Sequence, residues 1–384
     1  MSIACAALLE EGEWMKWIRA NSECSRQGFD LVENLQQELV QVLEEFAMLA
    51  ADRLGAQEIA RFDRVQWFRD GGKHGGGLRY QAPVQGASSG LVSNDSCFAW
   101  PFNAASSNIS QVQYEDLPEK PLSSATALSS IVHPAHPLLP SIHLHVSWTE
   151  HKSGSGYWRI MADLNPSHPD AADTQYFQRM IEEACRNYGQ ELYNLAVDQG
   201  NRYFQIPALS QTRGVFHYYL EEYNSSSFSA DLNLAAEVAQ AAIRAYGLLL
   251  KRRLSSLETP TPEQLERQLA YHTLYFFQVL TLDRGTTAGL LVHADNDVGI
   301  LGSLPARVSR DLLESWKERV PELQKILLAD LLGCLSADRI ALVTVPVKQA
   351  LALAVRRFYQ SHPVALELQA KGDTVPPTLA NHLG

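Results

Sequence analysis

Over residues 29–54 the apolar side chains fall at Leu31, Leu35, Leu39, Val42, Leu43, Phe46 and Ala50. Spacing of three and four residues gathers them on one face of an amphipathic helix. The next stretch, 62–68, leads through Gly71, Gly72, Lys73, His74 and a triple glycine at 75–77 into Leu78-Arg79-Tyr80. That order predicts strand, glycine turn, strand, because glycine enters positive φ at little cost. Residues 81–124 are rich in Ser, Asn, Gln and Pro and show poor periodicity, so loops with short strands are expected there. The period then becomes two. In residues 141–148, Ile142, Leu144, Val146 and Trp148 share one face and Ser141, His143, His145 and Ser147 the other. A second strand is predicted over 157–164, after the Gly154-Ser155-Gly156 turn.

Helical spacing returns over 174–196, with Asp170 or Asp173 as the N-cap. An aromatic strand pair is expected at Tyr203-Phe204 and 215–220, and a long helix at 231–254. Residues 271–282 are apolar with strand-like composition, Asp283-Arg284-Gly285-Thr286 reads as a turn, and 288–293 reads as another strand. Helices over 307–320, 322–335 and 347–360 close the chain. Strands and helices mix without regular βαβ alternation, which predicts an α+β fold, a large and mainly antiparallel sheet sandwiched between helices.

Composition narrows the function classes. The 384 residues are 46% hydrophobic and 20% charged, enough for a sizeable core. With 32 basic against 43 acidic residues the formal net charge is −11, which disfavours a phosphate backbone as partner, so no nucleic acid is expected. The densest basic cluster, Lys251-Arg252-Arg253, ends a predicted helix, where cations complement the helix dipole. No apolar run reaches the ~18–20 residues of a membrane span; even 340–355 is interrupted by Lys348 and Gln349. Cys5, Cys24, Cys97, Cys185 and Cys334 form no CxxC pair and are odd in number, a pattern of reduced thiols. The first residues lack a basic leader, so a cytoplasmic location is expected.

The polar face carrying His143 and His145 admits three readings. His143, His145 and Glu150 match half of a cupin-type metal motif. An imidazole titrating near neutrality could instead handle protons in a cleft. Both histidines could also be structural. The glycine run at 71–77 matches neither GxxxxGK[ST] nor a GxGxxG turn in a βαβ unit.

Residues 124–146, SATALSSIVHPAHPLLPSIHLHV, resemble a segment of the oxygen-dependent coproporphyrinogen III oxidases that reads ATGVSSVIHPxNPxxPTxHxN. The resemblance continues in order. Asp163-Leu164-Asn165-Pro166 is similar to the family's DLTP, Leu282-Asp283-Arg284-Gly285-Thr286 to its YDRGT, and Trp67 with Gly75-Gly76-Gly77, Tyr203-Phe204, Arg213-Gly214 and Gly302-Ser303-Leu304-Pro305 also match. It implies a coproporphyrinogen-oxidase-like domain over 1–320 including the first helix, with 321–384 a C-terminal helical extension packed on the same domain. It further implies a homodimer, with 275–280 aligned to a dimerisation strand. No metal or organic cofactor is implied, and dioxygen is the co-substrate that turns two propionates of a porphyrinogen into vinyl groups.

On that pattern His143 is the proton donor and Asp163 a carboxylate that accepts pyrrole N–H bonds. Ser129, His145, Val146, Ser147, Arg213, Asp295 and Asn296 contact substrate, and Asp283 and Arg284 form an acid–base pair. The chain departs from the family in charge. Family arginines fall at Ser147 and Asn296, and a third is lost ahead of Arg213-Gly214. A family glycine triplet becomes Arg159-Ile160-Met161, its Gly-Gly becomes Phe216-His217, and its paired aspartates become Glu221-Glu222. Two or three missing charge-assisted contacts, at roughly 1.5–3 kcal/mol each, would weaken propionate binding by about 3–9 kcal/mol unless other cations serve. Lys152, Arg159 and His145 are the candidates. A changed, less anionic substrate or a non-catalytic tetrapyrrole-binding dimer are the rival readings.

Overall fold

The computed structural model describes residues 17–54, 61–83, 101–373 and 378–382; Cys5, Cys97 and the first residues lie outside them. In chain order the first half comprises α1 (Glu23–Leu54), β1 (Asp63–Phe68), β2 (Gly75–Gln81), β3 (Phe102–Gln113), β4 (Leu122–Pro134), β5 (Ser141–His151) and β6 (Gly156–Asn165). Then follow α2 (Ala171–Ala184), α3 (Gln190–Tyr203), β7 (Gln205–Ile206), β8 (Gln211–Thr212), β9 (Phe216–Tyr223) and α4 (Phe228–Leu254). The remainder is α5 (Pro262–Thr281), α6 (Arg284–Val292), α7 (Asp297–Ile300), β10 (Arg307–Ser309), α8 (Arg310–Trp316), α9 (Glu322–Gly333), β11 (Ile340–Leu342) and α10 (Val345–Ser361).

Seven strands form one antiparallel sheet in the order β1-β2-β3-β4-β5-β6-β9, the α+β architecture that the sequence pattern predicts. Alternation gives the sheet two unlike faces. Ile109, Leu128, Val132, Ile142, Leu144, Val146, Trp158, Ile160, Leu164, Tyr218 and Leu220 point to one side and are essentially inaccessible. There they meet Val32, Leu35, Leu39, Leu43 and Phe46 of α1 and the apolar stripe of α4 in one core. Each large side chain so buried stabilises the fold by ~1.5–3 kcal/mol. The opposite face carries His143, His145, Ser147, Arg159, Met161 and Asp163, and over it lies a second core built by α5, α6, α8, α9 and α10. Residues past 320 share that second core with Tyr275, Phe276, Phe277 and Leu280. Among the described residues no helix is long and apolar enough to cross a membrane.

The structure corrects several sequence expectations. Residues 81–124 were expected as loops with short strands, yet β3 alone runs for 12 residues within them. Its hydropathy period is hidden because hydroxyls and amides are buried in pairs with β4: Ser107 meets Ser130 at 2.7 Å, and Gln111 donates to Thr126 at 3.0 Å. The apolar run 271–282 is helix, not strand. It continues a helix begun at a Thr261–Gln264 capping box with Pro262 in its first turn, and it is apolar all round because it is buried on both sides. Residues 288–293 are likewise helical, since Asp283 accepts from the Thr286 N–H and caps α6. The 174–196 helix is two, broken at Gly189 with φ +96°. Tyr203 ends α3 and Phe204 caps it, so neither is in a strand. Residues 275–280, assigned by resemblance to a dimerisation strand, are helical, and Tyr275, Phe276, Phe277, Gln278 and Leu280 are buried within this chain.

Gly77 lets β2 pass beneath Trp67: a Cβ there would lie 2.4 Å from the indole and 2.5 Å from the Ile109 carbonyl oxygen. Gly333, at the end of α9, has nothing within 4 Å. G77A is therefore expected to destabilise by at least ~1–3 kcal/mol in urea unfolding, whereas G333A should be neutral or slightly stabilising. Equal midpoints for the two variants would refute this packing.

Candidate active site

Strands β5 and β6 hold His143 and Asp163 as direct register partners on the open face. His143 Nδ1 stands 3.2 Å from Asp163 Oδ1, close enough for attraction though off-line for a hydrogen bond. Asp163 is fully buried. Its Oδ2 accepts from Arg213 Nη2 at 3.1 Å and from the Asn165 amide at 2.6 Å. Burial alone would raise this carboxyl, but His143 and Arg213 outweigh it and hold the group below the ordinary carboxylate range. Arg213 also donates through Nε to Gln278 Oε1 at 2.5 Å, lies over the Phe204 ring, and keeps Nη1 buried without a partner. Two strand residues and one from the bend between β8 and β9 thus form a chain, His143–Asp163–Arg213, whose two ends reach a hollow.

That hollow is a cavity of about 260 Å³. Ser129, His143, His145, Arg159, Met161, Arg213, Asp283, Arg284 and Asn296, all singled out from sequence, line it. Met161 forms wall and leaves the space open, while Phe216 points into the core on the other side. Four arginines, Arg69, Arg159, Arg213 and Arg284, face the cavity against one lining carboxylate, Asp283. In a chain of net charge −11 this is a local inversion of sign. Arg284 is neutralised by Glu221, which also accepts from the Tyr219 hydroxyl at 3.0 Å. Among the described residues Arg69 and Arg159 have no carboxylate at ion-pair distance.

Other predicted residues stand elsewhere. Asp163 is not among the residues that line the cavity; it lies fully buried directly behind His143 and Arg213, which do line it, with Oδ1 accepting no hydrogen bond. Val146 points into the core, as its place between His145 and Ser147 requires. Ser147 is buried and bonded to His145 Nε2 at 3.0 Å. Asp295 is exposed and off the cavity, and Lys152 is exposed at the β5–β6 turn, donating to the Leu117 carbonyl. Asp283 and Arg284 do not pair with each other: Asp283 caps α6 and accepts from the Tyr203 hydroxyl at 2.9 Å. His145 supplies no charge at neutral pH, because burial, Arg159 and His143 push it down to about 3. Glu150 bonds Ser22 and Trp148 on the opposite face from both histidines, which removes the cupin-type triad.

Sequence reading passed over Arg69, Tyr219, Gln278 and His293, all of which line the cavity. Arg69 shared a visible signal with Trp67, two residues earlier in the same register. Gln278 and Tyr275 sit at helical spacing, which a strand assignment hid. From beyond the last helix, Ala370 lines the cavity, the Gly372 N–H donates to Glu221 at 2.9 Å, and Thr378 accepts from Arg159 Nη2 at 2.6 Å.

The family model for coproporphyrinogen III oxidase matches residues 29–328. The oxygen-dependent coproporphyrinogen-III oxidase of Rickettsia akari is 30% identical over 260 residues, spanning 65% of this chain and 85% of the relative. That of Rickettsia felis is 29% identical over 300 residues, 75% and 98% respectively. The human mitochondrial enzyme is 29% identical over 202 residues, 52% of this chain and 44% of the relative.

The buried imidazoles make stability depend on pH. Burial lowers His272 to about 3, as it does His145, so below the ordinary value of 6.5 the unfolded chain binds protons that the folded chain refuses. Stability is complete above about pH 6.5 and falls on acidification toward pH 3, by up to ~1.4 kcal/mol per pH unit for each histidine. Denaturant melts at pH 7, 6 and 5 should show this slope, flattened by about one proton in H272F. An unchanged slope in that variant would show that His272 titrates normally.

Proposed function

The chain belongs to the coproporphyrinogen III oxidase family, and from that premise we propose that it converts coproporphyrinogen III to protoporphyrinogen IX in heme biosynthesis. Each turnover of one propionate breaks a C–H bond at the carbon next to the ring and the bond to the carboxylate. The carboxylate leaves as carbon dioxide and a vinyl group remains. Two electrons pass to dioxygen, which takes up two protons to become hydrogen peroxide; one comes from the broken C–H bond and one from solvent or an acid in the site. Dioxygen is the co-substrate in this reading, and no further cofactor enters it.

The observation that carries the reading is the His143–Asp163–Arg213 chain opening into an arginine-lined hollow. Asp163, held ionised 3.2 Å from Nδ1, stands directly behind the His143 ring, and His143 lines the cavity, so this imidazole is placed to deliver and recover a proton at the reacting propionate. Arg213 and Arg284 are already partly neutralised, which leaves Arg69 and Arg159 to meet substrate carboxylates. Guanidinium forks suit that task because they bind a carboxylate with two parallel hydrogen bonds. Assembly as a homodimer in the cytoplasm belongs to the same reading. Exposed Ile340, Leu342 and Val345, along β11 and the start of α10, offer apolar surface for that contact.

Purified protein given coproporphyrinogen III in air is expected to yield a divinyl product, with one hydrogen peroxide per vinyl group, followed by fluorescence and mass spectrometry. H143N should lower kcat by roughly 10²–10⁴-fold while porphyrin binding changes little. A wild-type protein that binds the porphyrin tightly but forms no vinyl group would instead be a non-catalytic tetrapyrrole binder.

A further inference from the structure

Two buried or half-buried arginines on the open face of the sheet have no carboxylate partner among the described residues, and each touches a position where the family carries an arginine that this chain lacks. Arg159 is the direct register partner of Ser147 across β5 and β6. It lines the cavity, with Nη2 on Thr378 Oγ1 and Nε buried without a partner. Arg79, on β2, is 5% exposed, and its Nη1 donates to Asn296 Oδ1 at 3.3 Å while Nε donates to Gln81 Oε1 at 2.9 Å. Asn296 in turn lines the cavity. Gly299 is what admits this guanidinium, for a Cβ there would fall 1.9 Å from Arg79 Nη1 and 2.1 Å from Asn296 Oδ1.

We propose that the carboxylate-holding charge of this pocket has moved to neighbouring strands, with Arg159 binding a substrate propionate in place of an arginine at 147, and Arg79 acting through Asn296 in place of one at 296. A cation out of water and without a counter-ion is costly, and an anionic ligand is what offsets that cost. The two arginines come from different strands, β6 and β2, and approach the cavity through different neighbours. They therefore serve separate carboxylates of a polyanionic substrate, Arg159 directly and Arg79 through Asn296. Lys348 of α10, outside the family-matched residues, reinforces the second position: its Nζ bonds the Gly302 carbonyl at 3.4 Å, and burial together with Arg79 lowers it to about 8. Arg159 is a binding residue, and Arg79 a positioning residue that orients and polarises the Asn296 amide.

This inference rests on the porphyrinogen reading, and its test separates the two. Binding of coproporphyrin III, the stable four-propionate porphyrin, is followed by fluorescence quenching, and KM and kcat are measured with coproporphyrinogen III. R159Q and R79Q are each expected to weaken binding and raise KM by roughly ten- to a hundredfold, with kcat within a few-fold of wild type. Returning the charge to its family position, in S147R/R159G and in N296R/R79S, should recover affinity to within about threefold of wild type, which a merely structural arginine would not allow. Wild-type affinity in R159Q and R79Q, or swap variants that fold yet bind no better than the single variants, would overturn the relocation while leaving turnover intact. Binding that follows the expected pattern without vinyl formation would uphold the relocation and remove the oxidase reading instead.

Discussion

Everything in this molecule depends on a period of two along β5 and β6. One set of alternate side chains, Ile142, Leu144, Val146, Trp158, Ile160 and Leu164, is driven out of water against α1 and α4. The other set has no choice but to face the second layer, and it contains His143, His145, Arg159, Met161 and Asp163. A one-residue slip of register would exchange the sets, placing charge in an apolar core. Core packing thus specifies which groups meet in the cavity, and the antiparallel ladder brings His143 opposite Asp163.

The electrostatics follow from what lies beneath that face. Asp163 is sealed from water, and its negative charge is tolerated because Arg213, Asn165 and His143 surround it. Asp163 stays ionised because His143 and Arg213 outweigh its burial, whereas burial, reinforced by Arg159 and His143, keeps His145 neutral. The pocket wall is therefore cationic through arginine, whose charge survives burial, and not through His145. An acidic protein can in this way present a positive hollow to a polyanionic small molecule.

The last sixth of the chain supplies more than cover. Residues 321–361 complete a core with α5 and α6, and the segment beyond them lines the cavity at Ala370 and bonds Glu221 through Gly372 and the cavity residue Arg159 through Thr378. The cavity wall is consequently assembled from both ends of the chain, and mutations remote in sequence act on one site.

The face assignment of 141–148, the long helices α1 and α4 and the α+β class were legible because hydropathy there follows one period over many residues. The ordered motifs around His143, Asp163 and Arg284 identified the family for the same reason, since short motifs keep their spacing even where charges between them change. Strand β3 escaped because paired hydroxyls and amides bury as readily as methyls and erase the alternation. Helix α5 was mistaken for a strand because a segment buried on all sides has no polar face to reveal its pitch. Residue identity and local period are properties of the chain alone, so sequence determined the elements with a wet side and the chemistry available to them. Which arginine found a carboxylate, and which was left to face the cavity, depended on partners scores of residues away, such as Glu221 for Arg284 and Asp163 for Arg213. Only packing in three dimensions could decide that, because an ion pair is made by distance in space and not by separation along the chain.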